Sequence, residues 1–139
     1  MKKSIVFAAV LAALLSLAAS TVAPSQAAQT RKTVTAQEKA ASDTQMNNGL
    51  TNLQAAQSSF SSGNYAAALA SLQTAAADMK AAMPIYHGYR VKSIRSADIA
   101  IRQLGHPKKA ASAGTAIGSA ITDAQTALTN SKGSLEVNE

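Results

Sequence analysis

The sequence predicts an all-α fold, a small up-down bundle of four helices. Apolar residues recur at intervals of three and four within four separate segments, which is the spacing of one face of an α-helix. Gly, Asn and Pro stand between these segments, where turns are needed. The chain is rich in Ala, Ser, Gln and Leu, and no segment has the alternation of apolar and polar residues that is typical of a strand.

Residues 1–27 have the features of a cleaved export signal. A cationic start precedes an apolar run at 5–19, and the small residues of Ser25-Gln26-Ala27 suit cleavage after Ala27. The alternative is an uncleaved membrane anchor, but the run is shorter than the roughly 20 residues of a span, and no cationic stop follows it. We therefore expect a periplasmic or secreted mature protein without a transmembrane span.

The mature chain has the length of a single domain. We expect residues 28–34 to be a disordered N-terminus, residues 35–130 to form the helical domain, and residues 131–139 to be a flexible tail. The sequence contains no Cys. Packing alone must therefore hold the domain together, and Cys catalysis and Cys metal sites are excluded.

The first two predicted helices span about 35–60 and 65–83. A bend or break at Asn47-Asn48-Gly49 stays open, because Asn and Gly are weak helix formers. In the turn between the helices, Gly63 suits a left-handed position and Asn64 can cap the second helix. The predicted apolar faces hold Met46, Leu50, Leu53 and Phe60 in the first helix, and Tyr65, Leu69, Leu72, Ala76, Met79 and Met83 in the second.

Part of this hairpin resembles a known repeat. Gly63-Asn64-Tyr65, followed by Ala68, Leu72 and Ala75, is similar to the turn and second helix of a tetratricopeptide repeat. The resemblance implies two antiparallel helices with small residues where their backbones approach. No second copy follows at the repeat period of about 34 residues, so a peptide-binding solenoid is not inferred.

The third and fourth helices are predicted at about 84–104 and 107–129. Helix three should start at Pro84 or Ile85, and Gly105-His106-Pro107 should end it. Lys108 and Lys109 then fall in the first turn of helix four. The predicted inward face of helix four holds Ala110, Gly114, Ile117, Ile121, Ala124 and Leu128, and the spacing of Gly114 and Gly118 favours close approach to a neighbouring helix.

Helix three is predicted to have an apolar and a basic face, at about 100° per residue. Arg90 falls inside the apolar arc, so it needs a partner such as Asp78 or Asp123. The apolar arc holds Val91, Ile94, Ala97, Ile101 and Leu104, with Tyr86, His87 and Asp98 at its edges, and the basic side holds Lys92, Arg95 and Arg102 together with Ile99.

Arg90 and His87 have two open interpretations. They could form a structural polar lock with Tyr hydroxyls at one end of the bundle. They could instead surround a carboxylate or phosphate together with the tyrosines. A third possibility is that residues 84–89 are not helical, which would change the positions of all these side chains.

A second resemblance covers the same region. The sequence from Pro84 to Ile94, ending with Ala100-Ile101-Arg102-Gln103-Leu104, is similar to a stretch in short secreted bacterial all-helical proteins of unknown function. The resemblance implies a shared helical-hairpin fold and brings no activity with it.

Positive charge is concentrated in the same part of the chain. Between Lys80 and Lys109 there are seven cations and one anion, Asp98, so this segment carries +6 while the rest of the mature chain carries −2. A solvated helix face would explain this pattern, and so would an anionic partner or surface.

The sequence contains no catalytic motif, so we expect a non-enzymatic protein that acts by binding, without a cofactor or a metal site. We predict a cell-envelope interaction module that binds an anionic envelope component or an acidic protein, and export argues against nucleic acid. The alternative is a periplasmic carrier of a small ligand, haem or metal near His87 and Arg90. The candidate binding residues are Tyr86, His87, Tyr89, Arg90, Lys92, Arg95 and Arg102.

Overall fold

A computed structural model of the chain describes residues 34–131, and the predicted export signal and the sequence after Ser131 lie outside this range. The described residues contain no strand, and the all-α fold class is confirmed. The four helices are α1 (Ala36–Ser61), α2 (Tyr65–Ala81), α3 (Tyr89–Leu104) and α4 (Ala113–Asn130), and a short 3₁₀ helix (Ala110–Ser112) precedes α4.

Helix α1 begins with a reciprocal cap. The Thr35 hydroxyl accepts a hydrogen bond from the Glu38 N–H (3.2 Å), and the Glu38 carboxylate accepts one from the Thr35 N–H (2.9 Å). These bonds satisfy donors that have no partner within the helix. From there α1 continues without a break through Asn47-Asn48-Gly49, which settles the question that the sequence left open.

The turn between α1 and α2 has the chemistry that the sequence predicts. Gly63 has a positive φ of 76°, a conformation that costs glycine little. The Asn64 side chain accepts a hydrogen bond from the Ala67 N–H (3.1 Å) and caps α2. Both predictions for this turn are confirmed.

The segment 82–88 is not helical, so the prediction that helix three starts at Pro84 or Ile85 is wrong. Helix α2 ends at Ala81, since Ala82 is extended with ψ 151°. Proline then supplies no N–H to continue the helical hydrogen bonds. The sequence allowed a helix to begin here because proline is also compatible with a first helical turn.

Two consecutive left-handed residues delay the start of α3 until Tyr89. His87 has φ 50° and Gly88 has φ 77°, values that a right-handed helix does not contain. This irregular path places the side chains of Ile85 and Tyr86 in the core, where both are fully buried. Burial of two large side chains therefore accompanies the loss of the expected helical turn.

Helix α4 also starts later than the sequence predicts. The Lys109 N–H bonds to the His106 carbonyl (2.8 Å), and this tight turn is followed by the 3₁₀ helix before α4 begins at Ala113. Lys108 and Lys109 therefore lie in the turn, and the prediction that they occupy the first turn of helix four is wrong.

Neighbouring helices pack in the cyclic order α1, α2, α3, α4 and back to α1, which is the order of an up-down bundle. The core between them consists largely of alanine, so the helices can approach closely. Gly49 marks one point of close approach, since a Cβ there would lie 2.6 Å from Met79 Cγ and 3.2 Å from the Ala75 carbonyl oxygen. The buried alanines are Ala56, Ala68, Ala75, Ala76, Ala82, Ala97, Ala100, Ala110, Ala113, Ala120, Ala124 and Ala127.

A polar network closes one end of the bundle. The Tyr86 hydroxyl donates to Asp43 Oδ1 (3.1 Å) and lies 2.8 Å from Ser42 Oγ, which accepts the Met83 N–H (2.7 Å). Since Tyr86 uses its only hydrogen on the carboxylate, Ser42 must donate to Tyr86. Ser131 Oγ, at the end of α4, also lies within 3.3 Å of Asp43 Oδ1. This Tyr86 network joins α1, the 82–88 segment and α4.

Both ends of the described chain are packed rather than loose. Val34 and Ser131 are buried, and Val34 belongs to the main apolar cluster. The sequence placed Val34 in a disordered N-terminus and Ser131 in a flexible tail, and for these two residues the prediction is wrong. Their burial follows from contacts that no local pattern reveals.

Replacing Tyr86 with Phe tests the network. We expect Y86F to lower the free energy of unfolding by about 1–3 kcal/mol, because buried partners of the hydroxyl lose a hydrogen bond. The matched control is Y89F, since within residues 34–131 the half-buried Tyr89 has no hydrogen-bond partner for its hydroxyl, and its effect should stay within about 0.5 kcal/mol. Urea denaturation measures both, and equal effects would contradict the assignment.

A pair of glycine substitutions tests the close approach of α1 and α2. Gly118→Ala, with nothing within 4 Å of the new methyl group, should raise the free energy of unfolding by up to about 1 kcal/mol through helix propensity. Gly49→Ala should lower it by roughly 1 kcal/mol, because overpacking against Met79 outweighs that gain. Thermal or urea unfolding compares the two, and stabilisation by both substitutions would show that the helices are not in tight contact.

Candidate functional site

The orientation of α3 is set by a line of small residues. Ser93, Ala97 and Ala100 are buried and face the other helices. Ser93 Oγ donates to the Ala120 carbonyl of α4 (2.7 Å) and lies 3.1 Å from Met79 Sδ of α2. This buried line therefore ties α3 to both of its neighbours.

The centre of the predicted apolar arc of α3 is rotated from the centre of the buried line by about 70°, counting 100° per residue. Val91, which was predicted to be inward, is 41% exposed, and that prediction is wrong. Ile94, Ile101 and Leu104 are partly buried and pack against the core from the side. Close packing favours the small residues, whereas a hydrophobicity pattern gives more weight to Val and Ile.

Lys92, Arg95 and Arg102 are exposed on the opposite side of α3, as the sequence predicts, and we call these three residues the basic face. They extend over about 15 Å of the helix at 1.5 Å per residue. Val91 and the partly buried Ile99 lie on the same side. Lys92 Nζ stands 4.5 Å from the centre of the Tyr89 ring, a cation–π distance that holds this cation near the start of the helix.

The seven candidate binding residues do not converge on one site. Tyr86 is fully buried in its network, whereas His87 is exposed and Tyr89 is half-buried. Tyr86 and Tyr89 therefore do not form a common aromatic platform, although Tyr89 contacts Lys92 of the basic face. A polar lock exists at this end of the bundle, but Tyr86 builds it with Ser42 and Asp43.

Arg90 caps the end of α2. Its Nη1 donates to the Met79 carbonyl (3.2 Å), one of the last carbonyls of α2. The Met83 N–H, which would continue the helical pattern to this carbonyl, donates to Ser42 instead. A cation at a helix C-terminus is also favoured by the helix dipole. Arg90 therefore has a structural role between α2 and α3.

The acidic residues near α3 have identified partners. Asp78 accepts a hydrogen bond from Asn52 Nδ2 of α1 (2.9 Å). Asp98 lies 3.7 Å from Lys80 of α2, and both side chains are largely exposed. An exposed pair of this kind contributes about 0–1 kcal/mol, so the single anion of the basic segment serves as a weak link between two helices.

A cavity lies at the C-terminal end of the basic face. It has a volume of about 240 Å³ and is lined by Ile99, Arg102, Gln103, His106 and Lys109, and we call it the α3 cavity. A second cavity of about 390 Å³, lined by His106, Pro107, Lys108 and Lys109, shares two residues with it. The turn after α3 therefore brings further basic groups to the end of the basic face.

The candidate binding residues named from the sequence do not include Gln103, His106 or Lys109, which line the α3 cavity. The available signal was the extension of the basic segment beyond the end of helix three. Helical spacing could not place residues 105–109, because this turn is not helical.

Within residues 34–131 there is no group of three His, Cys, Asp or Glu side chains that could hold a metal ion. Among the same residues, no helix combines the length and apolar character that a membrane crossing requires.

The fold and this surface together define a small helical bundle with a basic face. Comparison of the chain with protein-family models, with curated proteins and with solved structures finds no match.

The substitution of Arg90 by Met tests whether the hydrogen bond of Arg90 to the end of α2 stabilises the fold, independently of the packing of its side chain. R90M retains most of the apolar stem and should lower the free energy of unfolding by about 1.5–3 kcal/mol, through loss of a charged hydrogen bond at a helix end. R95M changes an exposed arginine of the same helix and should stay within about 0.5 kcal/mol. Chemical denaturation of both variants is the measurement, and a larger effect of R95M would show that the rotation of α3 is misassigned.

Proposed function

We propose that this protein is an exported, non-enzymatic interaction module of the cell envelope that binds an anionic partner through the basic face. The observation that carries the proposal is the arrangement of Lys92, Arg95 and Arg102 on the exposed side of α3. The features of residues 1–27 support the envelope as the location.

The charges of the basic face are available to a partner. Within the described residues, no acidic side chain lies within 4 Å of Lys92, Arg95 or Arg102. The cations that serve the fold are different ones, since Arg90 caps α2 and Lys80 contacts Asp98. The basic face therefore contributes little to stability, and an external anion would find its charges uncompensated.

The partner that fits this face best is an anionic lipid surface of the envelope. A helix side with cations along about 15 Å can lie flat on such a surface, and the exposed Val91 and partly buried Ile99 add apolar contact between the cations. Each Lys or Arg near an anionic membrane contributes about 1 kcal/mol. Three such residues give weak, reversible binding that salt can screen.

The alternative function, a carrier of a small ligand, haem or metal, has less support. Its proposed site lies near His87 and Arg90, where Arg90 caps α2 and Tyr86 belongs to the core. An absorbance spectrum of the purified protein tests this alternative directly, because bound haem would give a Soret band.

The membrane proposal is tested by two variants of equal net charge. K92Q/R95Q removes two charges from the basic face and should weaken binding to anionic phospholipid vesicles by about 2 kcal/mol, or roughly thirtyfold. T51E/Q54E changes the net charge equally at exposed positions of α1, which lies diagonally across the bundle, and should have a much smaller effect. Vesicle co-sedimentation at two salt concentrations measures both.

If the two variants lose binding equally, net charge alone explains the loss. The basic face is then not the surface that contacts the membrane. Absence of wild-type binding to these vesicles would overturn the lipid surface as the partner. Salt-sensitive binding of the wild type to an acidic polypeptide in the same assay would then favour an acidic protein.

A further inference from the structure

We infer that one end of the bundle is an aromatic anchor for the anionic lipid surface, with Tyr65 as the side chain that enters the headgroup layer. This inference rests on the proposed function, because it takes the same lipid surface as the partner. It deepens that function by assigning the part of the molecule that penetrates the surface, and it uses an aromatic group that lies outside the basic face.

Two turns lie at the same end of the up-down bundle. Helix α1 ends and α2 begins within residues 57–68, while α3 ends and α4 begins within residues 102–115, and we call these two stretches the turn end. A contact joins its two halves, since a Cβ on Gly114 of α4 would lie 2.7 Å from Phe60 Cε1 of α1. The Phe60 ring therefore packs directly on the first turn of α4.

Tyr65 is the exposed aromatic residue of the turn end. Its side chain is 42% exposed, and its hydroxyl has no hydrogen-bond partner among residues 34–131. The centre of its ring lies 5.5 Å from that of Phe60, which α4 holds in place. This packing orders the Tyr65 ring before a partner arrives, so binding loses little side-chain entropy. An apolar ring with a polar tip is typical of membrane interfaces.

The turn end carries positive charge and contains no Asp or Glu. Its basic side chains are all exposed, and they are Arg102, His106, Lys108 and Lys109. Among residues 34–131, neither Lys108 nor Lys109 has an acidic side chain within 4 Å. The described acidic residues lie elsewhere, at Glu38, Asp43, Asp78, Asp98 and Asp123. An anionic surface is therefore attracted to the turn end without repulsion from a carboxylate within it.

The turn end is continuous with the basic face. Arg102 belongs to both, and it lines the α3 cavity together with His106 and Lys109. A tilt of α3 towards its C-terminal end therefore brings both surfaces to the same membrane. Lysine side chains suit this position, because their charge stays among the headgroups while their stems lie beside apolar groups.

The combination of groups favours a lipid surface over a second copy of the chain. A single exposed aromatic residue is ordinary on a protein surface. At the turn end, however, it stands among cations, and two copies that met here would bring like charges together. An anionic membrane compensates these charges and accepts the Tyr65 ring as well.

Tryptophan fluorescence tests the position of Tyr65, because the sequence contains no Trp and one introduced Trp reports on one site. Y65W, bound to anionic phospholipid vesicles whose acyl chains carry bromine as a contact quencher, should lose most of its fluorescence relative to vesicles without bromine. Q73W, at an exposed position of α2 about 12 Å further along the helix, should keep its fluorescence. Equal quenching of the two variants would overturn the inference.

Vesicle co-sedimentation separates the ring from the charges. Y65S should weaken binding roughly tenfold, and this loss should persist at high salt, because burial of a ring is not screened. K108Q/K109Q should weaken binding roughly thirtyfold at low salt and much less at high salt. Q37E/T44E changes the net charge equally at exposed positions near the other end of α1 and should have a much smaller effect.

The results distinguish this inference from the proposed function. If K92Q/R95Q weakens binding but Y65W is not quenched, the anchor is refuted and the basic face remains the contact. If Y65W is quenched but K92Q/R95Q has no effect, the anchor is supported and the basic face is refuted. Absence of wild-type binding to the vesicles overturns both. A blue shift of Y65W that grows with protein concentration without vesicles identifies a second copy as the occupant and overturns the anchor.

Discussion

The rest of the structure depends on the hydrogen bonds around Tyr86. Because Ser42 accepts the Met83 N–H, the last turn of α2 loses the donor that would have reached the Met79 carbonyl, and Arg90 takes its place. This contact agrees with the orientation of α3 that the buried line of small residues sets. At about 100° per residue, a half-buried Arg90 requires the basic face to point outward. The Ser42 hydroxyl thus influences the end of α2, and through Arg90 this end is linked to the helix that carries the basic face.

Small core residues explain why so few bulky side chains suffice. Alanine and glycine let the helices approach closely, so the energy of packing comes from many short contacts between backbones and methyl groups. Gly49 illustrates both effects. A glycine lowers helix propensity, but its lack of a Cβ lets the Met79 side chain of α2 pack directly against α1. A core of this kind leaves little room between the helices. Two cavities lie at the turn that contains Pro107, and another of about 260 Å³ lies between α1 and the end of α2.

Helical periodicity and turn chemistry predicted the fold class, the course of α1 and α2 and the exposure of the basic face. They failed where tertiary contacts decide. Pro84 is compatible with the start of a helix, and only the burial of Ile85 and Tyr86 shows why the chain stays irregular. Val91 was placed inward because it is more hydrophobic than Ser93. The structure buries Ser93 because a small hydroxyl can reach the Ala120 carbonyl of a closely packed helix.

The candidate site also has one part that helical spacing predicts and one part that depends on tertiary structure. The charges of the basic face could be read from the sequence because they follow a regular helix, but the α3 cavity could not, because it combines the end of that helix with a turn. Attraction by exposed cations is screened within about 10 Å at 0.1 M salt and distinguishes poorly between anions. Under the proposed function, the basic face therefore supplies attraction to an anionic surface but little selectivity among anions.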